Sequence, residues 1–317
     1  MTRFLIQLIS RMTLASAVLI LLALGLSRVF ILVDNEIIYT VVYSNHSNIY
    51  RMDILHGLSY PLKNNTIAYD YQQEWSPDGE QIAFRHTDQK KGAIYLMDAQ
   101  GKNMRQFMDK DQLDFNPIWS PDGKSIAYVT ARYGDNTNQL ELMLTDIESG
   151  ETRRLTNNND YEFNPNWSPD GQHIVFQAPS STSDNINIFD LDVQTGQIVT
   201  LINKTDYNVN PAWSPDGKYL LYTTSKVSSR IFLRDSTSHL TPIITTKNII
   251  VSGPNWSSDG RYIVYSTWVV LPNDKDYVGI YRLDVTTCLE QPKNCVPELL
   301  TPVNARYESP KWRPAQP

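Results

Sequence analysis

The chain has little cysteine, no cluster of basic residues and none of the short words that mark a nucleophile or a phosphate site. Two Cys in 317 residues cannot hold a disulfide-dense scaffold together, and the six residues between Cys288 and Cys295 give a spacing that is neither C-x-x-C nor zinc-like. Lys and Arg number 28 against 34 Asp and Glu, a formal charge of −6. Residues 1–34 hold three Arg and one Asp, which is +2, so the remainder stands at −8. An acidic body without a basic stripe excludes nucleic acid as a partner, because neutralising phosphates requires clustered cations. There is no G-x-S-x-G, no H-E-x-x-H and no phosphate-cradling glycine loop. The five His, at 46, 56, 86, 173 and 239, stand at no metal-ligand spacing to one another or to Cys.

Long apolar runs are also absent, with one exception. Residues 12–33 carry a single charge, Arg28, and at about 1.5 Å per residue they are long enough to span a hydrocarbon core of about 30 Å. Arg3 and Arg11 precede the run, whereas Asp34 and Glu36 follow it, so the positive-inside rule puts residues 1–11 in the cytoplasm and residues 34–317 outside. The expectation is a single-pass plasma-membrane anchor. The alternative is a cleaved signal peptide, with residues 14–24 as its apolar region and Ala23-Leu24-Gly25 as a poor cleavage site, which would leave a periplasmic or secreted body. Both readings export the rest of the chain.

What the body does contain is repetition. Trp75-Ser76-Pro77-Asp78-Gly79 recurs at Trp119, Trp167 and Trp213, and a fifth copy at Trp256 has lost only the Pro. The intervals between these Trp are 44, 48, 46 and 43 residues, the period of propeller blades. Each word is followed by a short apolar run ending in an aromatic, such as Ile82-Ala83-Phe84 or Leu220-Leu221-Tyr222, then by a second run closing on Asp, such as Ile94 to Asp98, and by a brief third run. With the strand that carries Trp, this makes four antiparallel strands per repeat. Tyr (18) and Trp (7) outnumber Phe (9), a bias toward rings with polar tips that suits strands and sheet edges. The word itself is turn chemistry, since Pro fixes φ, Asp bonds its own backbone and Gly supplies φ > 0. The Trp at 75, 119, 167, 213, 256 and 312 are expected to wedge between neighbouring repeats. The first repeat lacks its opening strand, and the last residues supply one around Trp312. The sequence therefore predicts an all-β, six-bladed propeller closed by pairing the C-terminal strand with the N-terminal ones, which removes an exposed edge.

The repeated words, the strands after them and their terminal Asp resemble the TolB-like propeller family, whose repeats are called WD40-like or PD40, over about residues 36–317. That resemblance implies a cell-envelope propeller that binds another protein. Family members of the TolB type carry an α/β domain ahead of the propeller, in place of which only 35 residues precede the repeats here. Similar propellers also accompany peptidase domains and resemble those of some polysaccharide lyases.

Five residues before each Trp, where the opening strand begins, stand Asp70, Asp114, Glu162, Asn208, Val251 and Tyr307. Three carboxylates from consecutive repeats, converging on the channel mouth, would attract a divalent cation or a basic peptide. Asn116, Asn164 and Asn210 follow two residues later and are expected on the same side of the strand. The plain alternative is a solvated rim of turn-favouring residues. Cys288 and Cys295 are expected to form a local disulfide worth roughly 2 to 3 kcal/mol in the chain-entropy model. The functional expectation is a monomeric, membrane-anchored module that docks an envelope protein or glycan and needs no cofactor. The alternative is a channel-site, metal-assisted lyase or hydrolase using Asp70, Asp114 and Glu162.

Overall fold

The chain divides into two units, Met1–Val33 and Asp34–Pro317. A computed structural model describes residues 35–88, 92–107, 113–131, 140–158, 161–180, 185–203, 207–225, 229–246, 249–269, 279–302 and 305–315. The apolar run at 12–33 lies outside the described residues, among which no helix is long and apolar enough to cross a membrane.

The second unit is an all-β propeller. Four of its sheets have four strands each, and a fifth has eight. This differs from the expectation of six separate blades, and the cause is local: Ser47 and Tyr69 form a single parallel bridge that joins two antiparallel groups of four strands. One of those groups contains the C-terminal strand Arg306–Trp312, which pairs antiparallel with Glu36–Val42, Ile37 lying opposite Trp312 and Val42 opposite Arg306. The two ends of the repeat array thus complete one group of strands.

Each Trp sits where the sequence places it, between one repeat and the next. Trp75 packs with Ile38 and Ile49 of the preceding strands and with Ile82 and Phe84 of its own. Trp119 does the same between Ile94 and Ile126, Trp256 between Leu221 and Ile263, and Trp312 between Val264 and Ile37. Burying so large a ring at low rotamer cost gives each junction several kcal/mol at about 25 cal/mol per Å².

The WSPDG words form hairpins built on one hydrogen-bond set. Ser76 Oγ donates to Asp78 Oδ1 at 2.6 Å, the Glu80 N–H donates to the same carboxylate at 3.0 Å, and Gln81 N–H donates to Ser76 Oγ at 2.8 Å. Gly79 has φ of 68°, a conformation that disfavours any Cβ. The set recurs at Ser120, Ser168, Ser214 and Ser257. The Ser hydroxyl and the following backbone N–H hold Asp122 and Asp170 below the usual carboxylate range. Pro has a separate job. Its ring lies under the Gly of the next word, so that Pro77 faces Gly123, Pro121 faces Gly171, Pro169 faces Gly217 and Pro215 faces Gly260. The fifth word has no Gly-bearing word after it, and there Ser258 replaces Pro.

The position before Gly79 is filled by the C-terminus. Arg313 donates from Nη2 and Nε to Gly79 O at 2.9 and 3.2 Å, pairs through Nη1 with Glu36 Oε2 at 2.8 Å, and lies over the Trp75 ring at 5.2 Å. It is a buried clasp between the last strand, the first strand and the first turn.

The insert between Gly279–Asp284 and Glu298–Leu299 folds as a short helix, Val285–Glu290. Asp284 caps it by accepting from Thr287 N–H at 2.9 Å, and Cys288 and Cys295 are joined by a disulfide.

Candidate functional site

Counting back from each Trp puts the six opening strands in one frame and shows how the channel is built. Three residues before Trp stand Gln72, Asn116, Asn164, Asn210, Gly253 and Ser309, and every one has a φ between 48° and 58°. This is the left-handed region, which Asn tolerates better than most residues because its short side chain bonds locally. Each bulge shifts the strand register, for example between Phe115 and Ile118 and between Phe163 and Asn166. All six opening strands line one cavity of about 90 Å³ at this level. Its amides bond to one another around the axis: Asn116 Nδ2 to Asn164 Oδ1 at 3.1 Å, Asn164 Nδ2 to Asn210 Oδ1 at 2.9 Å, and Asn116 N–H to Gln72 Oε1 at 3.1 Å. Gln177 Oε1 accepts from Asn164 Nδ2 at 3.1 Å and Asn210 N–H at 2.8 Å. Replacing Asn164 by Ala is expected to cost about 2 kcal/mol, from a Cβ residue without local bonding at positive φ and from lost amide contacts. Urea unfolding measures it, and an unchanged midpoint would contradict a structural role for the amide ring.

The residues five before Trp behave differently from the expectation of a solvent-facing mouth. Asp70, Asp114, Glu162, Asn208, Val251 and Tyr307 are all buried, none more than 5% exposed. The left-handed bulge explains the difference from the Asn at 116, 164 and 210, because it breaks the simple alternation that would put residues two apart on one face. Asp70 and Glu162 act as separate latches between repeats. Asp70 Oδ1 takes His86 Nδ1 at 2.5 Å, and its other oxygen takes Asn65 Nδ2 from the preceding repeat. Glu162 lies 2.5 Å from Thr156 Oγ1 and accepts from Asn158 Nδ2 at 2.7 Å and Leu142 N–H at 3.0 Å. Asn208 Nδ2 donates to Ile186 O at 3.0 Å. Val251 joins an apolar cluster, and Tyr307 packs edge-on to Tyr39 with ring centres 5.8 Å apart. Asp114 lies at the start of its strand with no solvent exposure. Among the described residues no group of three His, Cys, Asp or Glu is placed to hold a metal ion.

Glu162 shares the Thr156 hydroxyl with a second buried carboxylate, Glu141. Burial pushes its pKa up to about 7, and Glu141 stands close by. Thr156 Oγ1 lies 2.5 Å from Glu162 and 2.8 Å from Glu141 Oε2. One hydroxyl hydrogen serves only one carboxylate, so the second contact requires a proton on a carboxyl. Arg154 pairs with Glu141, and the proton belongs to Glu162.

The exposed chemistry of this mouth lies one residue earlier. Six before Trp stand Tyr69, Leu113, Tyr161, Tyr207, Ile250 and Arg306. Tyr69, Leu113 and Tyr207 are exposed, while Tyr161 and Ile250 are half-buried. Arg306 lies 4.2 Å from the Trp268 ring centre. Behind this rim Phe115 and Phe163 pack at 6.3 Å, and Arg85 sits between Tyr71 and Phe115 at 5.4 and 5.5 Å. Ser47 pairs with Tyr69 and Val42 with Arg306, so the loop between them shares this end. It adds Tyr43 stacked on His46 at 4.5 Å, with the Tyr43 and Tyr50 hydroxyls 2.8 Å apart. The period-2 pattern of the strand contained the signal: a one-residue shift separates the buried set from the exposed one.

The family model described as the TolB beta propeller domain, PD40, matches residues 30–226 and, in a second overlapping placement, 85–287. The chain belongs to the TolB β-propeller family. Its fold is similar to the crystal structure of TolB from Acinetobacter baumannii, with a TM-score of 0.73 and 20% identity over 89% of this chain and 67% of that one. A putative TolB from Agrobacterium tumefaciens gives a TM-score of 0.64 and 18% identity, covering 84% of this chain and 88% of that one. An oligogalacturonate lyase in complex with manganese gives 0.57 and 14%, covering 84% and 73%. At these identities the likeness shows the fold alone. A comparison with curated proteins found no match. Within the TolB-like frame the amide ring and the aromatic rim are both properties of the opening strand of each repeat.

Proposed function

We propose that this TolB-like chain is a membrane-anchored, extracytoplasmic docking module that binds a protein or glycan of the cell envelope at the aromatic mouth of its propeller. The observation that carries the reading is the exposed set Tyr69, Leu113 and Tyr207, at one position of the first, second and fourth repeats, with half-buried Tyr161 of the third between them and Tyr43 and Ile67 beside them. Aromatic rings with polar tips, gathered on one surface, are what protein and glycan interfaces are made of. The anchor is residues 12–33, with residues 1–11 cytoplasmic and the propeller outside. In this reading the eight-stranded sheet counts as two blades touching at one bridge, which brings the ring to six. The six Trp frames, each with its left-handed bulge, support that count.

The test is affinity capture from native membranes with the full-length protein, followed by mass spectrometry. The wild type retains a reproducible envelope partner, and the triple variant Tyr69→Ser, Leu113→Ser, Tyr207→Ser loses it by more than about tenfold, since truncated interface anchors commonly cost above 1 kcal/mol each. Equal recovery from both proteins would remove the mouth from the account.

A further inference from the structure

The chain enters the propeller at one end of the channel, and that end carries a second exposed apolar set. Asn35 O accepts from Ile54 N–H at 2.8 Å, and Glu36 pairs with Asp53, so the hairpin between Ser47–Asp53 and Leu58–Pro61 stands beside the point of entry. On that hairpin and the strand after it Leu55 is 65% exposed, Leu58 62% and Tyr60 47%. Leu58–Pro61 is an outer strand that, among the described residues, pairs only with Ser47–Asp53. Ile37 lies opposite Trp312, which puts this hairpin at the level of the WSPDG turns and at the far end from the rim of Tyr69, Leu113 and Tyr207.

Tether length decides what such a patch meets. If residues 12–33 span the bilayer, as proposed above and on which this inference rests, only Asp34 and Asn35 separate the apolar run from Glu36. Three Cα steps reach at most roughly 10 Å, and each headgroup layer is roughly 5–7 Å thick. The hairpin beside Glu36 is therefore held against the lipid interface, where Leu side chains enter and Tyr is favoured at headgroup level. The rest of that end carries an excess of acid: the Asp of the turns and of the next hairpins, such as Asp78, Asp122, Asp170 and Asp192, outnumber the Lys and Arg among them, of which Lys218 pairs with Asp216 and Arg261 with Asp284. Such a face is not attracted to a lipid surface as a whole.

We infer that the propeller rests on the outer membrane-facing lipid surface by one edge, through Leu55, Leu58 and Tyr60, with its turn face tilted away and its aromatic mouth directed into the aqueous space. The contact fixes which mouth a partner reaches. It adds apolar burial to the anchor at the place where the anchor ends.

The experiment uses single-cysteine labelling of the full-length protein reconstituted in phosphatidylcholine vesicles that contain nitroxide lipid. Cys288 and Cys295 are bonded to each other, so an introduced Cys is the one free thiol. An environment-sensitive fluorophore is placed at Leu55→Cys, at Leu58→Cys, at Thr195→Cys on the turn face three repeats away, and at Ile67→Cys on the other mouth. The expected result is a blue-shifted emission quenched several-fold at 55 and 58, with the emission at 195 and 67 unquenched. Vesicle flotation of the same samples separates the two layers of the argument. Protein that fails to float overturns the anchor and this contact together. Protein that floats but is quenched no more at 55 and 58 than at 67 overturns the contact alone, and quenching at 195 equal to that at 55 overturns the edge-on placement.

Discussion

Replacing Arg313 by alanine lowers the stability of the propeller by about 2 to 3 kcal/mol, the scale of charge-assisted hydrogen bonds lost from a buried site whose carboxylate keeps a second arginine. The side chain is 9% exposed, and its guanidinium ties three separate pieces of chain: Gly79 O in the first turn, Glu36 in the first strand and the Trp75 ring in the first junction. Deleting it leaves Glu36 with Arg51, which bonds to Glu36 Oε1 through Nε at 3.1 Å, but leaves Gly79 O without its donor. It also loosens the junction where the last strand meets the first turn. For a domain of this size the melting temperature falls on the order of 10 °C. Arg313→Lys keeps the charge beside Glu36 and loses the forked contact to Gly79, so its loss is intermediate. Differential scanning calorimetry reads the series, and an alanine variant that melts with the wild type would mean that closure rests on strand pairing alone.

Stability also falls as pH rises from about 4.5 to about 7, and Glu162 is the cause. Its folded pKa of about 7 lies above the value of an unfolded glutamate, so across this window the folded state binds more protons than the unfolded one. Below the window both states are protonated and the group contributes nothing. Above it the folded state carries a buried carboxylate next to Glu141, at a cost of roughly 3 kcal/mol for a shift of this size. Glu162→Gln keeps a donor toward Thr156 and removes the ionisation. The measurement is urea unfolding of both proteins at pH 5 and pH 8. The wild type loses roughly 3 kcal/mol more than Glu162→Gln between the two, a comparison in which the other carboxylates cancel. Parallel losses in the two proteins would place the proton elsewhere.

The repeat made the architecture legible. A five-residue word at a period near 45 fixed the strand composition, the turn chemistry and the packing of Trp before any coordinate, because each of these is local to one repeat or to a pair of neighbours. The incomplete first repeat and the surplus Trp312 announced that the termini pair. Arg313 was not legible, because it stands where the other words have Ser and its partners, Glu36 and Gly79, lie more than 230 residues away. The single bridge between Ser47 and Tyr69 was not legible for the same reason: whether two groups of strands join is decided by loop placement rather than by any word.

The site was half legible. Asn116, Asn164 and Asn210 do line the channel, but through a left-handed bulge that no residue pattern revealed except, in retrospect, the Asn itself. Asp70, Asp114 and Glu162 drew attention as charges, and charge in a strand of alternating burial says nothing about which face it occupies. Asp70 bonds to Asn65, and Glu162 to Asn158 and Leu142, each in the preceding repeat, which makes these two latches between repeats. The exposed partners of that alternation, Tyr69, Leu113 and Tyr207, are ordinary strand residues by composition, and only burial separates them from a core.

The measurement that tests the central claim most directly is site-specific photo-crosslinking of the full-length protein in native membranes, with the photoreactive residue at Tyr69, Leu113 or Tyr207 and, for comparison, at Ser149 or Thr195 on the turn face. The account predicts that the mouth positions capture one common envelope protein or glycan and that the turn-face positions do not. A partner captured from the turn face, with none from the three mouth positions, would contradict it.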